Sequence, residues 1–474
     1  MKRFVRRTPL IGLGLGLGLA VGVGYERHRA AEQSRAVTTA EVFQDVLAAI
    51  RVGYVDSLTD EELYAKAAKG VVSTLGDPYS AFLGPDEYHS YRDLLSGRAR
   101  SIGISVVTGL TGLRVGAVAA KSAADRSPLE PGDYLLAIND EPAAKLSTAR
   151  AASLMRGSAN QPVRVRYRGP GDSVAAEVSL TPVETRLPST LAPVRLSDSV
   201  AYLALGNVSS DASRDLREAL NAIGADKLSG LVLDLRGNGG GPLEEALAIA
   251  DLFLEPGQRI GTVSKRRSLW ATYAASGPDF FPELSLAILV DRRTASSAEI
   301  IAAALRDNDR ARLVGERTFG KGLIQTTVPL GNGAALRLTT GRWQGPGGAL
   351  IAGGIQPDSV VVVAPEEAML RRALGREPEA FAQGLDAAAA TLDSLVPLDS
   401  IGLSPIGAER LRSVLRPTGI QLSRRMVARH QPLFDLELRR VAAAIRQIPS
   451  EMARYGLLAD PVVAAGLIQV SRRP

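Results

Sequence analysis

The chain has 474 residues, 56 Lys and Arg against 50 Asp and Glu, a net charge of +6, three histidines and no cysteine. The missing cysteine excludes disulfides, a thiol nucleophile and cysteine-held metals. The basic residues are scattered apart from short runs such as Lys265-Arg266-Arg267. That surplus is no nucleic-acid footprint, and the length suggests about three domains.

Lys2, Arg3, Arg6 and Arg7 form a basic lead, and Thr8 to Tyr25 is then uncharged and rich in Leu, Val and Gly. This reads as an export signal or a signal anchor over residues 1–25. As a helix it would span about 27 Å, marginal for a bilayer. No clear small-residue cleavage site precedes Glu26. The reading therefore favours an uncleaved anchor with its amino end in the cytoplasm. It implies an exported protein of the cell envelope or periplasm, associated with the inner membrane through this segment.

Residues 37–96 read as a helical region, with Val42, Val46 and Ile50 at helical spacing and a turn over 76–83. It carries no chemistry and reads as scaffold. Residues 97–184 resemble a PDZ domain. Ser101-Ile102-Gly103-Ile104-Ser105-Val106 would be the loop and strand that receive a peptide carboxylate, making Ile102, Gly103 and Ile104 substrate-binding candidates. Strand addition of this kind draws affinity from main-chain hydrogen bonds. Ser147 to Met155 would be the helix facing the groove, capped by Ser147. The plain alternative is a small β-rich domain with no ligand.

Residues 185–365 read as an α/β core. Leu231 to Leu235 is a strand-like run that opens into Arg236-Gly237-Asn238-Gly239-Gly240-Gly241-Pro242, with a helix after it. Glycines there let backbone N–H groups approach a ligand. The loop is either a tight strand-to-helix turn or an oxyanion hole. Residues 263–282, with Trp270 and Tyr273, read as a mobile loop near the site.

Leu286 to Val290 is a second buried strand, and Ala- and Ile-rich Glu299 to Leu305 is a helix. Ser296 falls at the handover, where helix N–H groups are free and negative charge is favoured. Ser296 and Glu299 also spell a capping box, which would be a purely structural role. Further on, Gly315-Glu316-Arg317-Thr318-Phe319-Gly320-Lys321-Gly322 nearly matches a phosphate-binding loop. It lacks the hydroxyl residue after the lysine, and a strand rather than a helix follows, which argues against nucleotide. A lysine between glycines, walled in by apolar groups, would lose its proton readily and act as a general base. A bend at Gly322 would let the Gln325 amide orient it.

Leu233-Asp234-Leu235-Arg236-Gly237-Asn238-Gly239-Gly240-Gly241, Thr294-Ala295-Ser296-Ser297-Ala298-Glu299-Ile300 and Phe319-Gly320-Lys321-Gly322-Leu323-Ile324-Gln325 together resemble the C-terminal processing peptidases. The family runs Ser-Ala-Ser-Ala-Ser-Glu-Ile where this chain has Thr-Ala-Ser-Ser-Ala-Glu-Ile. The resemblance places Ser296 on the nucleophile, with Ser297 as a rival. It implies Lys321 as general base and Gln325 as its orienting partner. It also implies an oxyanion hole built from the N–H of Gly241, or its neighbour Gly240, and that of Ser297.

The histidines, His28, His89 and His430, all lie outside the core stretch. A Ser–Lys arrangement is a known variant of the serine triad. The implied protein is an exported serine endopeptidase needing no metal and no cofactor, whose substrates are proteins held by their C-terminal tails. Its expected class is multidomain α+β: helical N-terminal region, PDZ-like β domain, α/β (crotonase-like) protease core and helical C-terminal extension. Residues 366–474, Arg-rich and without a catalytic motif, read as that extension, either a homo-oligomer or partner contact or a solvated helical pack. Two other readings are an inactive PDZ-bearing scaffold and a crotonase-like acyl-CoA enzyme.

Overall fold

The computed structural model describes residues 39–109, 112–156, 161–169, 172, 174–266, 271–376, 396–416, 421–446 and 448–471. The apolar segment over 1–25 and Trp270 lie outside the described residues. Among those described, no helix is long and apolar enough to cross a membrane. The chain divides into two compact units.

The first unit comprises residues 39–84 and 328–337. It holds a helix over 39–53 and the helix Asp60–Ser73. Thr59 closes the second with a capping box: its Oγ1 accepts from Glu62 N–H at 3.2 Å and Glu62 Oε2 accepts from Thr59 N–H at 2.9 Å. The expected turn over 76–83 ends in a short strand, Ala81–Leu83, which pairs antiparallel with residues 335–337.

The second unit takes in residues 85–327 and those from 338 on. Its first part is a small antiparallel sheet ordered Ile104–Gly109, Gly112–Val118, Tyr134–Ile138, Val163–Arg168, Ala176–Leu180. In Val163–Arg168 burial alternates residue by residue, the period-2 signature of a strand with one face inward. The helix Thr148–Arg156 covers the inner face, and Ser147 Oγ caps it by accepting from Arg150 N–H at 3.2 Å.

The core sheet runs Val194–Arg195, Val200–Ala204, Gly230–Asp234, Ser285–Val290, Ala311–Gly315, Ser359–Val360, parallel after the first pair. Its central strands are almost wholly apolar because both faces are covered. One face packs against the helices Ala212–Ile223, Leu243–Asp251 and Ser297–Asp307. The other is covered by the last helix, Pro461–Ser471, whose Val463 and Val470 join Val232, Ala287 and Leu289 in one cluster. So the end of the C-terminal extension completes the core, a role that residues 366–474 did not reveal in sequence. The helices Pro405–Leu415, Arg424–Arg429 and Gln431–Ile445 gather around a separate cluster that includes Leu411, Leu415 and Leu438, while Leu457 and Leu458 of Pro449–Leu458 pack against the core-sheet cluster.

Residues 263–282, of which 267–270 lie outside the described residues, depart from expectation in the part described. Arg259–Lys265 and Ala271–Ala274 pair antiparallel, and the Tyr273 ring stacks on buried Trp343 at 5.9 Å. The stretch is anchored to the core by that ring pair.

Candidate active site

Three loops meet at the carboxyl ends of the core strands: residues 235–242 after Gly230–Asp234, 291–296 after Ser285–Val290, and 316–322 after Ala311–Gly315. Ligand sites of open α/β sheets favour this end of the strands.

Ser296 has φ 58° and ψ −124°, a conformation that residues with a Cβ rarely adopt. A strained backbone of this kind is held only where its surroundings over-determine it. Here the surroundings are hydrogen bonds. Ser296 N–H donates to Glu299 Oε2 at 2.9 Å, while Glu299 N–H goes to the Ser296 carbonyl at 2.8 Å. The expected capping box is present, and its carboxylate side is the bond from Ser296 N–H to Glu299 Oε2. Ser296 is partly accessible, whereas the helix behind it is buried from Ser297 to Leu305.

Glu299 does more than cap. It is fully buried, and its Oε2 also accepts from Lys321 N–H at 2.8 Å. Its Oε1 accepts from Gly320 N–H at 2.7 Å and from Thr318 Oγ1 at 2.5 Å. Ser296 N–H and Lys321 N–H share one carboxylate oxygen, so their nitrogens lie closer than the sum of those two bonds. A buried carboxylate is tolerable only when so fully hydrogen-bonded. Sequence reasoning gave Glu299 a cap role alone. The available signal was a carboxylate at the head of an otherwise apolar helix, Ile300 to Leu305.

Lys321 is half-buried and sits just before the strand Leu323–Pro329, so strand does follow the lysine loop. Gln325 is on that strand. Its Nε2 donates to the Leu323 carbonyl at 3.3 Å and to Thr339 Oγ1 at 3.4 Å. Those described bonds tie Gln325 to its own hairpin.

The glycine loop is braced from several sides. Asn238 Nδ2 donates to the Leu205 carbonyl at 2.8 Å, and Gly240 N–H donates to Asn238 Oδ1 at 2.9 Å. Ala295 N–H donates to the Asn238 carbonyl at 2.9 Å, joining this loop to the serine turn. At Gly241 a Cβ would fall 1.6 Å from the Val208 carbonyl oxygen, so only glycine fits. Gly241 N–H donates to Ser297 Oγ at 2.5 Å, and Ser297 Oγ donates to the Gly241 carbonyl at 3.1 Å. Ser297 N–H has no acceptor among the described hydrogen bonds. Arg236, at the head of the loop, pairs with Asp234 at 2.7 Å and with Asp460 at 2.9 Å, just before the last helix.

Asp291 is a second tether that sequence reasoning missed. Its Oδ1 accepts from Gly237 N–H at 2.9 Å and from Thr294 N–H at 3.0 Å, linking the glycine loop to the serine turn. Burial alone would raise its carboxyl. The N–H groups of Gly237 and Arg293 and the Arg293 charge outweigh this and hold it below the usual carboxylate range. A lowered folded pKa adds stability above the unfolded value of about 3.9, and that contribution is lost as pH falls through the folded value. Thermal melts should show Asp291→Ala less stable than the parent at pH 6, by roughly 1–3 kcal/mol. The gap should narrow only below about pH 4. A gap that closes already at pH 6 would contradict this.

In the PDZ-like part, Ile102 and Ile104 are buried in the local core. Ile102 N–H donates to the Met155 carbonyl and Gly103 N–H to Ser101 Oγ, both at 3.2 Å. Ile104–Gly109 lies at the edge of its sheet. The structure thus leaves a strand edge for pairing, with the Ile102 and Gly103 amides already satisfied.

Comparison with known proteins agrees with this architecture. The pattern of peptidase family S41 matches residues 199–361, and that of a PDZ domain matches residues 114–169. A carboxyl-terminal-processing protease of Synechocystis sp. is 34% identical over 311 residues, 64% of this chain and 71% of that protein. A carboxy-terminal-processing protease of Bartonella bacilliformis is 31% identical over 324 residues, 67% and 74% of the two chains. A solved photosystem II D1 C-terminal processing protease aligns with a TM-score of 0.42 and 24% identity, over 69% of this chain and 90% of that one. With relatives this similar over most of their own length, the chain belongs to the carboxyl-terminal-processing serine peptidases of family S41.

Proposed function

We propose that this peptidase is an exported endopeptidase that cleaves protein chains held by their C-terminal tails, with Ser296 as nucleophile and Lys321 as general base. One observation carries the reading. A single buried carboxylate, Glu299, holds the backbones of Ser296 and Lys321 together. A serine hydroxyl is a weak nucleophile until a neighbouring group takes its proton, and no histidine lies in any of the three loops. A neutral Lys321 amine takes the proton as Ser296 Oγ attacks the peptide carbonyl carbon. The charge that develops on the carbonyl oxygen is met by Ser297 N–H and Gly241 N–H, each donor typically worth about 3–4 kcal/mol. The protonated Lys321 then gives its proton to the leaving amine. Water then attacks the acyl carbon as Lys321 takes its proton, and Lys321 returns that proton to Ser296 Oγ as the acyl–Oγ bond breaks.

In this account Gln325 steadies the Lys321 loop through its own hairpin. The PDZ domain captures the tail by adding it along the Ile104–Gly109 edge, with the Ile102 to Ile104 segment near the terminal carboxylate. The test is cleavage of an unfolded protein ending in apolar residues, compared with the same protein carrying a C-terminal amide. The amidated form should be cleaved with KM raised about tenfold or more and kcat little changed. Equal KM values would exclude tail-carboxylate capture.

A further inference from the structure

Ser297 is the least expected residue of the site. It stands where the resemblance puts alanine, next to the nucleophile, and its side chain is drawn into the machinery itself. Its Oγ lies 2.5 Å from Gly241 N and 3.1 Å from Gly241 O, and the residue is 1% exposed. The loop and the turn meet tightly here: a Cβ on Gly240 would sit 2.8 Å from both Ser297 N and Ser297 Oγ. The hydroxyl uses a lone pair on one backbone group and its proton on the other, so it is not poised to attack anything. What it does is occupy Gly241 N–H, one of two donors assigned above to the developing oxyanion. The other, Ser297 N–H, meets no acceptor among the described hydrogen bonds.

We infer that the Ser297 hydroxyl is a built-in plug of the oxyanion hole, a self-inhibitory contact that each substrate must displace. This rests on the assignment of Ser296 as nucleophile. In the resting enzyme the Gly241 donor is spent on a neutral oxygen of the chain. A substrate carbonyl first meets Ser297 N–H. Gly241 N–H becomes available only when the Ser297 side chain rotates about its Cα–Cβ bond to another staggered position. The exchange breaks both hydrogen bonds of the Ser297 hydroxyl, and the substrate restores the one to Gly241 N–H, so its net cost is one ordinary hydrogen bond at every turnover.

Removing the plug should therefore speed the enzyme. Ser297→Ala is expected to raise kcat/KM about fivefold, the rate equivalent of one such bond. It should tighten a peptide aldehyde by a similar factor, because the hemiacetal formed when Ser296 Oγ–H adds across the aldehyde places its oxygen on the same donors. Affinity for an uncleavable ground-state peptide should not move, which a general change in folding or docking would not spare. Ser297→Gly removes the same hydroxyl and should show the same direction, giving a second variant if the first folds poorly. Unchanged or reduced kcat/KM in the folded variants would overturn the plug. So would rapid hydrogen exchange at the Gly241 amide of the resting wild-type enzyme, a measurement that needs no variant. Failure of the underlying assignment looks different: Ser296→Ala would keep its turnover, whatever Ser297 does.

Discussion

Ser296→Ala should remove turnover by about a million-fold, the scale seen when a serine nucleophile is deleted, while leaving the fold intact. Ser296→Gly should remove it equally and, in addition, raise stability. The reason is the backbone. At φ 58° and ψ −124° the Ser296 Cβ is sterically opposed, and glycine has none. Strain at such positions is on the order of 1–3 kcal/mol, partly offset by the extra freedom glycine has when unfolded. A net gain of about 1 kcal/mol in a denaturant melt is expected for the glycine variant, with the alanine variant near the parent. Retained cleavage in either variant would remove Ser296 from the nucleophile's role. A glycine variant less stable than alanine would show that the turn is not strained.

The second large effect is at Lys321. Lys321→Ala and Lys321→Arg should both lose turnover to about the same depth as Ser296→Ala, and the double variant should be no worse, because groups that act as one unit are not additive. Arginine keeps the positive charge and much of the volume, but its guanidinium stays protonated and cannot accept the serine proton. If the lysine merely supplied positive charge, arginine would retain activity. Turnover of the parent should also fall as the solution is made acid, because only the neutral amine serves as base. Activity of Lys321→Arg within tenfold of the parent would exclude the general-base role.

The course of the core strands could be followed in the sequence because they are almost wholly apolar runs. Leu231 to Asp234 and Leu286 to Val290 both lie in strands and are buried throughout. The turn at Ser296 could be located for the same reason: an apolar run stops and an alanine-rich helix starts. What could not be read was how the three loops are tied. Asp291 and Glu299 accept from backbone N–H groups distant in sequence, and Asn238 donates to the Leu205 carbonyl; a backbone partner leaves no mark in a sequence. The 263–282 stretch was misleading because 271–274 pairs with the strand 259–265 and Tyr273 stacks on Trp343, far along the chain. The hydroxyl of Ser297 could be seen as a departure, but not that it would reach the glycine loop.

The last helix carries a consequence for the order of events during synthesis. Pro461–Ser471 covers one face of the central sheet, and Asp460, immediately before it, pairs with the arginine that opens the glycine loop. Ribosomes make a chain from its amino end, so this covering piece emerges after every strand of the sheet it covers. Until it docks, the sheet presents Val232 and Leu289 to water, and the loop lacks one of its ion pairs. The fully braced glycine loop is therefore assembled only once residues 460–471 have been made and have docked.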